Sequence, residues 1–512
     1  MKRIFAILLC CCLLAGCSLG KDDPYVPTGK GLTWDEGYTG PTVTEPVEEA
    51  VQELTLTCYP DASMNPLLCT EYTNRALFPL IYQSLFVVDR EYQVEPMLCK
   101  YFTRSEDMKT YTFYLEDATF SDGSRISAKD VMATLLAAKE STWYGGRFTH
   151  IGEISLAGEN GVTVQLDTAY ENLPILLDIH ILKANQLESD FPLGTGPYVL
   201  EHNALGMRLR RRSNWWCSAE MTVTAPAISI VAAESTTQIR DEFEFSDLGL
   251  VLADPGSDNY ADFRSDFELW DCESGIFLYL ACNMNSEIFA DPAIRSALSY
   301  AVDRDTIAEK YYRGFARSAV LPMSPQSPYY SQKLAEEYAF DGVKFAQALK
   351  DANIFQEEPA VFLVNSDDSL RVRVARQIRD MLVDCGLKVT MKEVTSSEYK
   401  TALLYRTYDL YLGQTKLSPN MDLSAFFYTY GDLSYGSVDD VSAYALCLEA
   451  LANHGNYYTL HKKIMEEGLL CPILFRSYAV HATRGLLSDL TPARDNVFYY
   501  SLGKTMEDAL KG

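Results

Sequence analysis

Residues 361–391 constrain the fold of this chain more than any other stretch. Val361 to Val364 is a short apolar run that reads as a strand. A helix follows, capped by Ser366 or Asp367, with Leu370, Val374, Ile378, Met381 and Leu382 recurring at helical spacing. Gly386 suits the left-handed position just past the end of that helix. Leu387, Val389 and Met391 then alternate as a second strand. A strand–helix–strand unit favours parallel strands joined by a right-handed crossover, so at least part of the fold is α/β.

The same reading places other elements. Leu54, Leu56 and Cys58 alternate with Thr55 and Thr57, the period of a half-buried strand. Thr110–Leu115 repeats the pattern ahead of a turn at Ser121-Asp122-Gly123. Ser127 caps a helix through Val131, Leu135 and Leu136, and Asp303 caps one through Ile307 and Tyr311. Gly194-Thr195-Gly196-Pro197 turns into a strand at 198–200, and 341–353 and Tyr457–Glu467 read as amphipathic helices. With 512 residues, 47% of them apolar, two or three domains are expected.

The amino terminus assigns a compartment. Lys2 and Arg3 precede an apolar run at 4–14, and Leu14-Ala15-Gly16-Cys17 closes it with small residues before a cysteine. This pattern predicts a lipoprotein signal over 1–16, cleaved before a lipid-modified Cys17; an ordinary secretory signal beside a chance cysteine is the alternative. The run is too short to span a bilayer. Residues 18–51 are rich in Pro, Gly, Thr and acids and read as a flexible tether. About 34 residues of such coil reach on the order of 30–35 Å. The expected location is the outer face of a cell membrane, on a Gram-positive surface.

Composition excludes several classes of function. The formal charge of −26 becomes two units more negative once Lys2 and Arg3 leave with the signal, which disfavours nucleic acid and anionic membrane surfaces as partners. Cys10, Cys11 and Cys12 leave too, so that nine cysteines besides Cys17 remain, an odd number that cannot pair fully. Several lie among apolar neighbours and read as buried thiols. The chain has no Cys-x-x-Cys, no Gly-x-Ser-x-Gly, no His-Glu-x-x-His and no phosphate-binding loop. His454 and His461 are seven apart with no acid or thiol at ligand spacing, so neither a metal site nor a cofactor is expected. Arg208, Arg210, Arg211 and Arg212 form the one basic run and read as a solvated strand edge, with an anion-facing patch as the alternative.

Four segments carry a family resemblance. The first is Asn65-Pro66, then Leu80-Ile-Tyr-Gln-Ser-Leu85, with Pro96 after it. The second is Tyr111-Thr-Phe-Tyr-Leu115, Phe120-Ser-Asp-Gly123 and Ser127-Ala-Lys-Asp-Val131. The third is Gly194-Thr-Gly-Pro-Tyr198 with Arg212-Ser-Asn-Trp-Trp216. The fourth runs from Tyr279 and Asn283 through Asp291-Pro-Ala-Ile-Arg295 and Ala297-Leu-Ser-Tyr-Ala-Val-Asp-Arg304 to Gly314. In order and spacing the chain resembles the family 5 extracellular solute-binding proteins of ABC transporters, the peptide-, dipeptide- and nickel-binding group, from residue 53 to about 490.

The resemblance implies an α/β fold of the type II periplasmic-binding-protein kind: two lobes, hinge strands and a small extra domain, as in cluster C. It implies lobe I at 52–68, 190–272 and 482–512, an extra domain at 69–189, and lobe II at 273–481. Hinge strands are then expected near 275–283 and 474–480. The implied function is not enzymatic. A monomeric receptor captures a small solute, oligopeptides included, in the cleft between the lobes and delivers it to a permease and its ATPase; a surface sensor with the same fold is the alternative.

The resemblance also points to the ligand. Peptide-binding members carry Gly-Trp-x-x-Asp after a strand, the acid meeting the peptide amino terminus. Here Gly413-Gln-Thr-Lys-Leu417 follows the strand at 408–412, with Gln414 in place of the Trp and Leu417 in place of the Asp. Asp422 is a possible substitute for that acid. Lys416 either faces the cleft, favouring a carboxylate, or points to water. Tyr72, Asn74, Trp143, Tyr144, Trp270 and Phe277 are expected near the cleft, Trp270 either stacking on ligand or packed in a core. Glu71, Asp271 and Glu273 are candidate partners for a ligand amine.

Overall fold

The computed structural model describes residues 54–204, 206–217, 223–257, 260, 263–264, 266–354, 356–435, 440–487 and 490–510. The signal, Cys17 and the acidic tether lie outside the described residues.

The architecture is organised by two unusually long strands, Phe267–Cys282 and Cys471–Thr483, that pair antiparallel. Their ladder runs from Phe267 opposite Thr483 to Glu273 opposite Ser477, breaks, and resumes with Phe277 opposite Phe475. Gly275 sits in the break at φ +68°, a conformation open to glycine at little steric cost. Around this pair grows a seven-stranded sheet. Leu250–Ala253 lies on the outer side of Cys471–Thr483, where Ala316–Ser318 also pairs. On the other side, Leu410–Lys416 joins Phe267–Cys282 antiparallel, followed by Ala360–Asn365 and Val389–Val394.

The last two strands form the α/β unit expected from the sequence. Ala360–Asn365 pairs parallel with Val389–Val394, and the helix Ser369–Asp384 connects them. Val374, Ile378 and Leu382 on that helix are fully buried with Phe362, Val364, Leu410 and Leu412 of the sheet in one core cluster. Its cap is Asp368, which accepts the Arg371 N–H at 2.9 Å, and neither Ser366 nor Asp367. Asp367 instead accepts the Ser396 N–H at 2.8 Å, at the start of the next helix, Ser396–Tyr405.

Three smaller sheets complete the described structure. Leu54–Cys58 pairs parallel with Ala227–Ala232, which continues antiparallel into Gly206–Arg211 and Tyr198–Asn203. Cys99–Arg104, Thr110–Leu115, Gly161–Leu166 and Ile151–Leu156 form an antiparallel four-stranded sheet, and Phe86–Val88 pairs with Val94–Pro96. The helix Ala128–Lys139 starts with a full capping box between Ser127 and Asp130. Asp303 and Asp341 cap Arg304–Tyr312 and Gly342–Asp351, and Tyr457–Glu467 is helical over the span expected. Among the nine free cysteines seven are buried, with Cys217 and Cys385 half-buried.

The basic run needs a correction. Arg208 and Arg210 do lie on one exposed face, both gripping Glu201 at 2.6 Å. Arg212 is buried. Its guanidinium donates to the Thr119, Thr195, Gly196 and Phe120 carbonyls and to Thr119 Oγ1, at 2.9–3.3 Å. It thereby ties the turn before Ser121 to the turn at 194–197. The strand Gly206–Arg211 ends one residue earlier, so Arg212 escapes the alternation that keeps its neighbours at the surface.

His454 and His461 do not share a helical face. His454 sits in a short turn, with its Nδ1 2.8 Å from the Tyr329 hydroxyl and its N–H donated to Glu171. His461 is fully buried within Tyr457–Glu467, and both ring nitrogens lack a hydrogen-bond partner. Burial pushes its pKa down to about 3. The unfolded chain binds this proton near pH 6.5 and the folded chain only near 3, so stability is whole above pH 6.5 and falls as the pH drops through that window, by up to about 1.4 kcal/mol per pH unit. In urea unfolding between pH 6.5 and 4, His461→Leu is expected to lower the slope of stability against pH by about one proton. An unchanged slope would exclude His461 as a source of acid lability.

Candidate functional site

Lys416 is the last residue of Leu410–Lys416, and its strand pairing sets it opposite Ile276, beside the break in the long ladder. Its ammonium lies 2.7 Å from both carboxylate oxygens of Asp495, 2.5 Å from the Ser274 carbonyl and 3.2 Å from the Tyr72 hydroxyl. It also stands 4.2 Å from the Trp143 ring centroid. Burial drives its pKa down to about 7; Asp495 opposes the shift, while Arg494 and Arg75 add to it. The lysine therefore faces inward with its charge already matched.

Around this centre the aromatic rings form a wall. Tyr72, at the start of the short helix Tyr72–Arg75, meets Trp143 edge-on at 5.0 Å and lies 4.1 Å from Tyr478 of Cys471–Thr483. Trp143 carries the Arg75 guanidinium 3.7 Å from its ring centroid. Arg75 in turn donates to the Pro66 and Cys69 carbonyls and to the Tyr144 hydroxyl, which lies 3.2 Å from His180 Nδ1. Burial, reinforced by Arg75 and Arg147, holds His180 neutral, its pKa down to about 3. Arg147 is paired with Asp178, and its own pKa falls to about 10 through burial. Arg494 donates to the Leu417 carbonyl.

Two cavities flank the wall. One of about 50 Å³ is lined by charged groups: Arg75, Arg147, Asp178, Arg494 and Asp495, with Trp143 and His180. The other, of about 210 Å³, is lined by Tyr59, Glu71, Tyr72, Asp254, Phe263 and Tyr478 among others. A narrow gap lined by Tyr72, Trp143, Tyr478 and Asp495 lies along the wall itself.

The structure brings Tyr72, Trp143, Tyr144 and Lys416 into this one neighbourhood. Gln414 lies beside it, its side-chain oxygen 3.4 Å from Arg476, which forms a two-pronged ion pair with Asp254. Glu71 lines the larger cavity and Glu273 the narrow gap, while the remaining candidates make their contacts elsewhere. Asn74 is fully buried, holding the Tyr59 N–H and carbonyl and the Ala62 carbonyl. Phe277 is fully buried between Tyr279 and Phe475. Trp270 is half-buried against the main core, opposite Val480. Asp422 is held by His150 at 3.1 Å and by the Ser424 N–H and hydroxyl. Asp271 pairs with Arg90 and Arg317, and Glu273 with the Tyr92 and Ser324 hydroxyls.

Arg75, Arg147, Asp178, Tyr478, Arg494 and Asp495 were missed in the sequence. Each is a lone charged or aromatic residue in a loop, a strand or a short helix, without periodicity or motif to mark it.

These features describe a polar-centred cluster flanked by cavities in an α/β protein. Residues 93–437 match the family model of bacterial extracellular solute-binding proteins, family 5 (middle), and the chain belongs to that family. The glutathione-binding protein GsiB of Escherichia coli is 21% identical over 351 residues, 66% of this chain and 68% of GsiB. Among solved structures, NikA from Brucella suis in complex with Fe(III)-EDTA superposes with a TM-score of 0.67 at 19% identity, covering 87% of this chain and 98% of NikA. The substrate-binding protein CtaP from Listeria monocytogenes gives 0.71 at 17% identity, covering 87% and 97%. The fold is that of type II periplasmic binding proteins, and members of this family are transport binding proteins for peptides, nickel or related ligands, not enzymes. Among the described residues no helix is long and apolar enough to cross a membrane.

The Lys416–Asp495 pair makes the region testable as a unit. Removing one partner of a half-buried pair leaves the other undercompensated, at a cost of about 1–3 kcal/mol. Lys416→Met is expected to destabilise by about that amount, and Lys416→Met with Asp495→Asn to regain most of it in chemical unfolding. Additive losses in the double variant would show that the two charges do not depend on each other.

Proposed function

We propose that this chain is a lipid-anchored, extracytoplasmic receptor that captures a peptide or a related small polar solute and passes it to the permease and ATPase of an ABC importer. The observation that carries this reading is the meeting of four distant chain segments at one half-buried point: Tyr72, Ser274, Lys416 and Asp495 are bonded through a single ammonium group, with cavities on either side. In this reading the long strands Phe267–Cys282 and Cys471–Thr483 contain the hinges, at 275–283 and 474–480. Lobe I comprises 52–68, 190–272 and 482–512, the extra domain 69–189, and lobe II 273–481. Solute enters between the lobes where Tyr72 and Lys416 meet. The receptor acts as a monomer without a cofactor. Cys17 bears the lipid, and the acidic tether holds the receptor near the membrane.

The grip on the ligand departs from an amine–carboxylate anchor. Leu417, at the position of the acid in peptide-binding members, is buried. Asp422 is held by His150 and Ser424.

Ligand that binds only the folded state raises its melting temperature by mass action. Thermal denaturation with peptides of two to six residues is expected to show a concentration-dependent rise for at least one class; a flat response to every peptide and small polar solute would reject the receptor reading. Cys17→Ser is expected to shift the protein from the membrane fraction to the soluble fraction and to abolish labelling by radioactive palmitate. Retention on the membrane by that variant would refute the lipid anchor. Co-purification with a permease supports import, and with a signalling protein the sensor alternative.

A further inference from the structure

We propose that the turn at residues 89–93 is a latch on the long strand Phe267–Cys282, fastening the lobes in the arrangement seen here and releasing when they part to admit solute; this rests on the reading of the chain as a two-lobed receptor. The turn joins Phe86–Val88 to Val94–Pro96. Asp89 organises it, accepting the Glu91 and Gln93 N–H groups at 2.9 and 2.7 Å. Tyr92 stands in the turn at φ +61°, in the left-handed region. Glycine or asparagine takes that conformation at little cost, whereas a bulky side chain there is strained. Such strain persists only where the surroundings over-determine it.

What holds Tyr92 there is a buried carboxylate. The tyrosine is 6% exposed, and its hydroxyl donates to one oxygen of Glu273. The Ser324 hydroxyl donates to the other oxygen at 2.9 Å. Burial pushes the Glu273 pKa up, and Tyr92, Arg494, Ser324 and Arg317 oppose the shift. A carboxylate so placed is poorly served once either hydroxyl leaves. A second acid on the same strand repeats the pattern. Asp271 is gripped at 2.9 Å by Arg90, from the same turn, and at 2.5 Å by Arg317, whose Nε lies 4.0 Å from Glu273. In the proposed division Arg90 and Tyr92 belong to the extra domain, and Arg317 and Ser324 to lobe II. The two acids lie on the long strand where lobe I gives way to lobe II.

The latch is joined to the Lys416 centre through the backbone. The Glu273 carbonyl accepts the Asp495 N–H at 2.8 Å, and the next carbonyl, that of Ser274, accepts the Lys416 ammonium. Asp495 holds the same ammonium with both carboxylate oxygens. The ladder between the long strands lapses at this point, with Gly275 at φ +68° in the gap. Dihedrals change most freely where no ladder bond has to break. A rotation there carries Arg317 and Ser324 away from Arg90 and Tyr92, so that the two acids cannot keep both sets of donors. Release of Tyr92 also relieves its backbone strain. That relief lowers the cost of opening and makes the fastening reversible.

The test is a distance measurement on the mature protein, with spin labels on non-natural amino acids at Phe245 and Val343, both exposed and one in each proposed lobe. Without solute the unaltered protein is expected to give one dominant distance. Tyr92→Phe with Ser324→Ala keeps the ring and the turn but removes both hydroxyls. It is expected to raise the population of a second distance at least fivefold. Arg317→Gln, at a partly exposed side chain, is expected to act in the same direction by a smaller factor. Unchanged distributions in both variants overturn the latch. Should the double variant lose its cooperative melting transition, Tyr92→Phe alone and Arg317→Gln decide by the same criterion. Association of tripeptides with free termini, followed by stopped flow, is expected to quicken at least threefold in the variants, since fewer molecules have to unfasten first. An unchanged or slower rate beside a shifted distance distribution overturns release as a step in solute entry. No binding by any tripeptide counts against the receptor reading, while the distances still decide the latch.

Discussion

A lysine drawn largely out of water needs a counter-charge to keep its proton, and the placing of half-buried Lys416 makes that constraint bear on the whole molecule. Its ammonium is met by Asp495 from near the carboxyl terminus, by the Ser274 carbonyl from a long strand and by the Tyr72 hydroxyl from near the start of the fold. One charge thus pins residues that lie hundreds of positions apart. Desolvation pulls the lysine toward neutrality and Asp495 holds it charged, which leaves the balance near neutral pH. Small changes in what fills the neighbouring space should therefore be felt by all the segments it joins.

The break in the long antiparallel ladder supplies the geometry for this contact. Where pairing lapses between Glu273 and Phe277, the Ser274 and Gly275 carbonyls are free to accept from Lys416 and from the Leu417 N–H. The missing Cβ of Gly275 leaves room for Arg494. A regular ladder would have used those carbonyls within the sheet and closed that space. Irregular backbone within a ladder lets a sheet present polar groups to a neighbouring side chain without adding an edge.

Buried charge elsewhere is handled by the same economy of partners. Arg212 and Arg295 are surrounded by backbone carbonyls, and Arg304 adds the Ser299 hydroxyl. These arginines lock turns and helix ends together. Other arginines are less fully served: Arg317 and Arg371 each keep a buried Nε without a hydrogen-bond partner, as Arg494 keeps Nε and Nη1.

Much of the scaffold was legible along the chain because it is written in local periodicity. The strand–helix–strand unit, the capping residues Ser127 and Asp303, a helix within 341–353 and the helix Tyr457–Glu467 follow from spacing and hydrogen-bond chemistry within a few residues. The resemblance set Tyr72 and Trp143 near the expected cleft and left Lys416 facing either it or water; the structure brings the three together. The cap Asp368, one or two residues from its expected place, and the burial of Arg212 depended on distant partners, Ser396 and the turns at 119–120 and 194–197. By itself the sequence determined the family, the α/β class and the absence of an acid at Leu417, since each is a matter of residue order and identity. Only the tertiary structure decided that Lys416 is matched by Asp495, that Phe277 and Asn74 belong to the interior, and that Arg494 retains open donors. Those outcomes rest on which groups meet after desolvation, and no spacing along the chain records which buried charge finds a partner first.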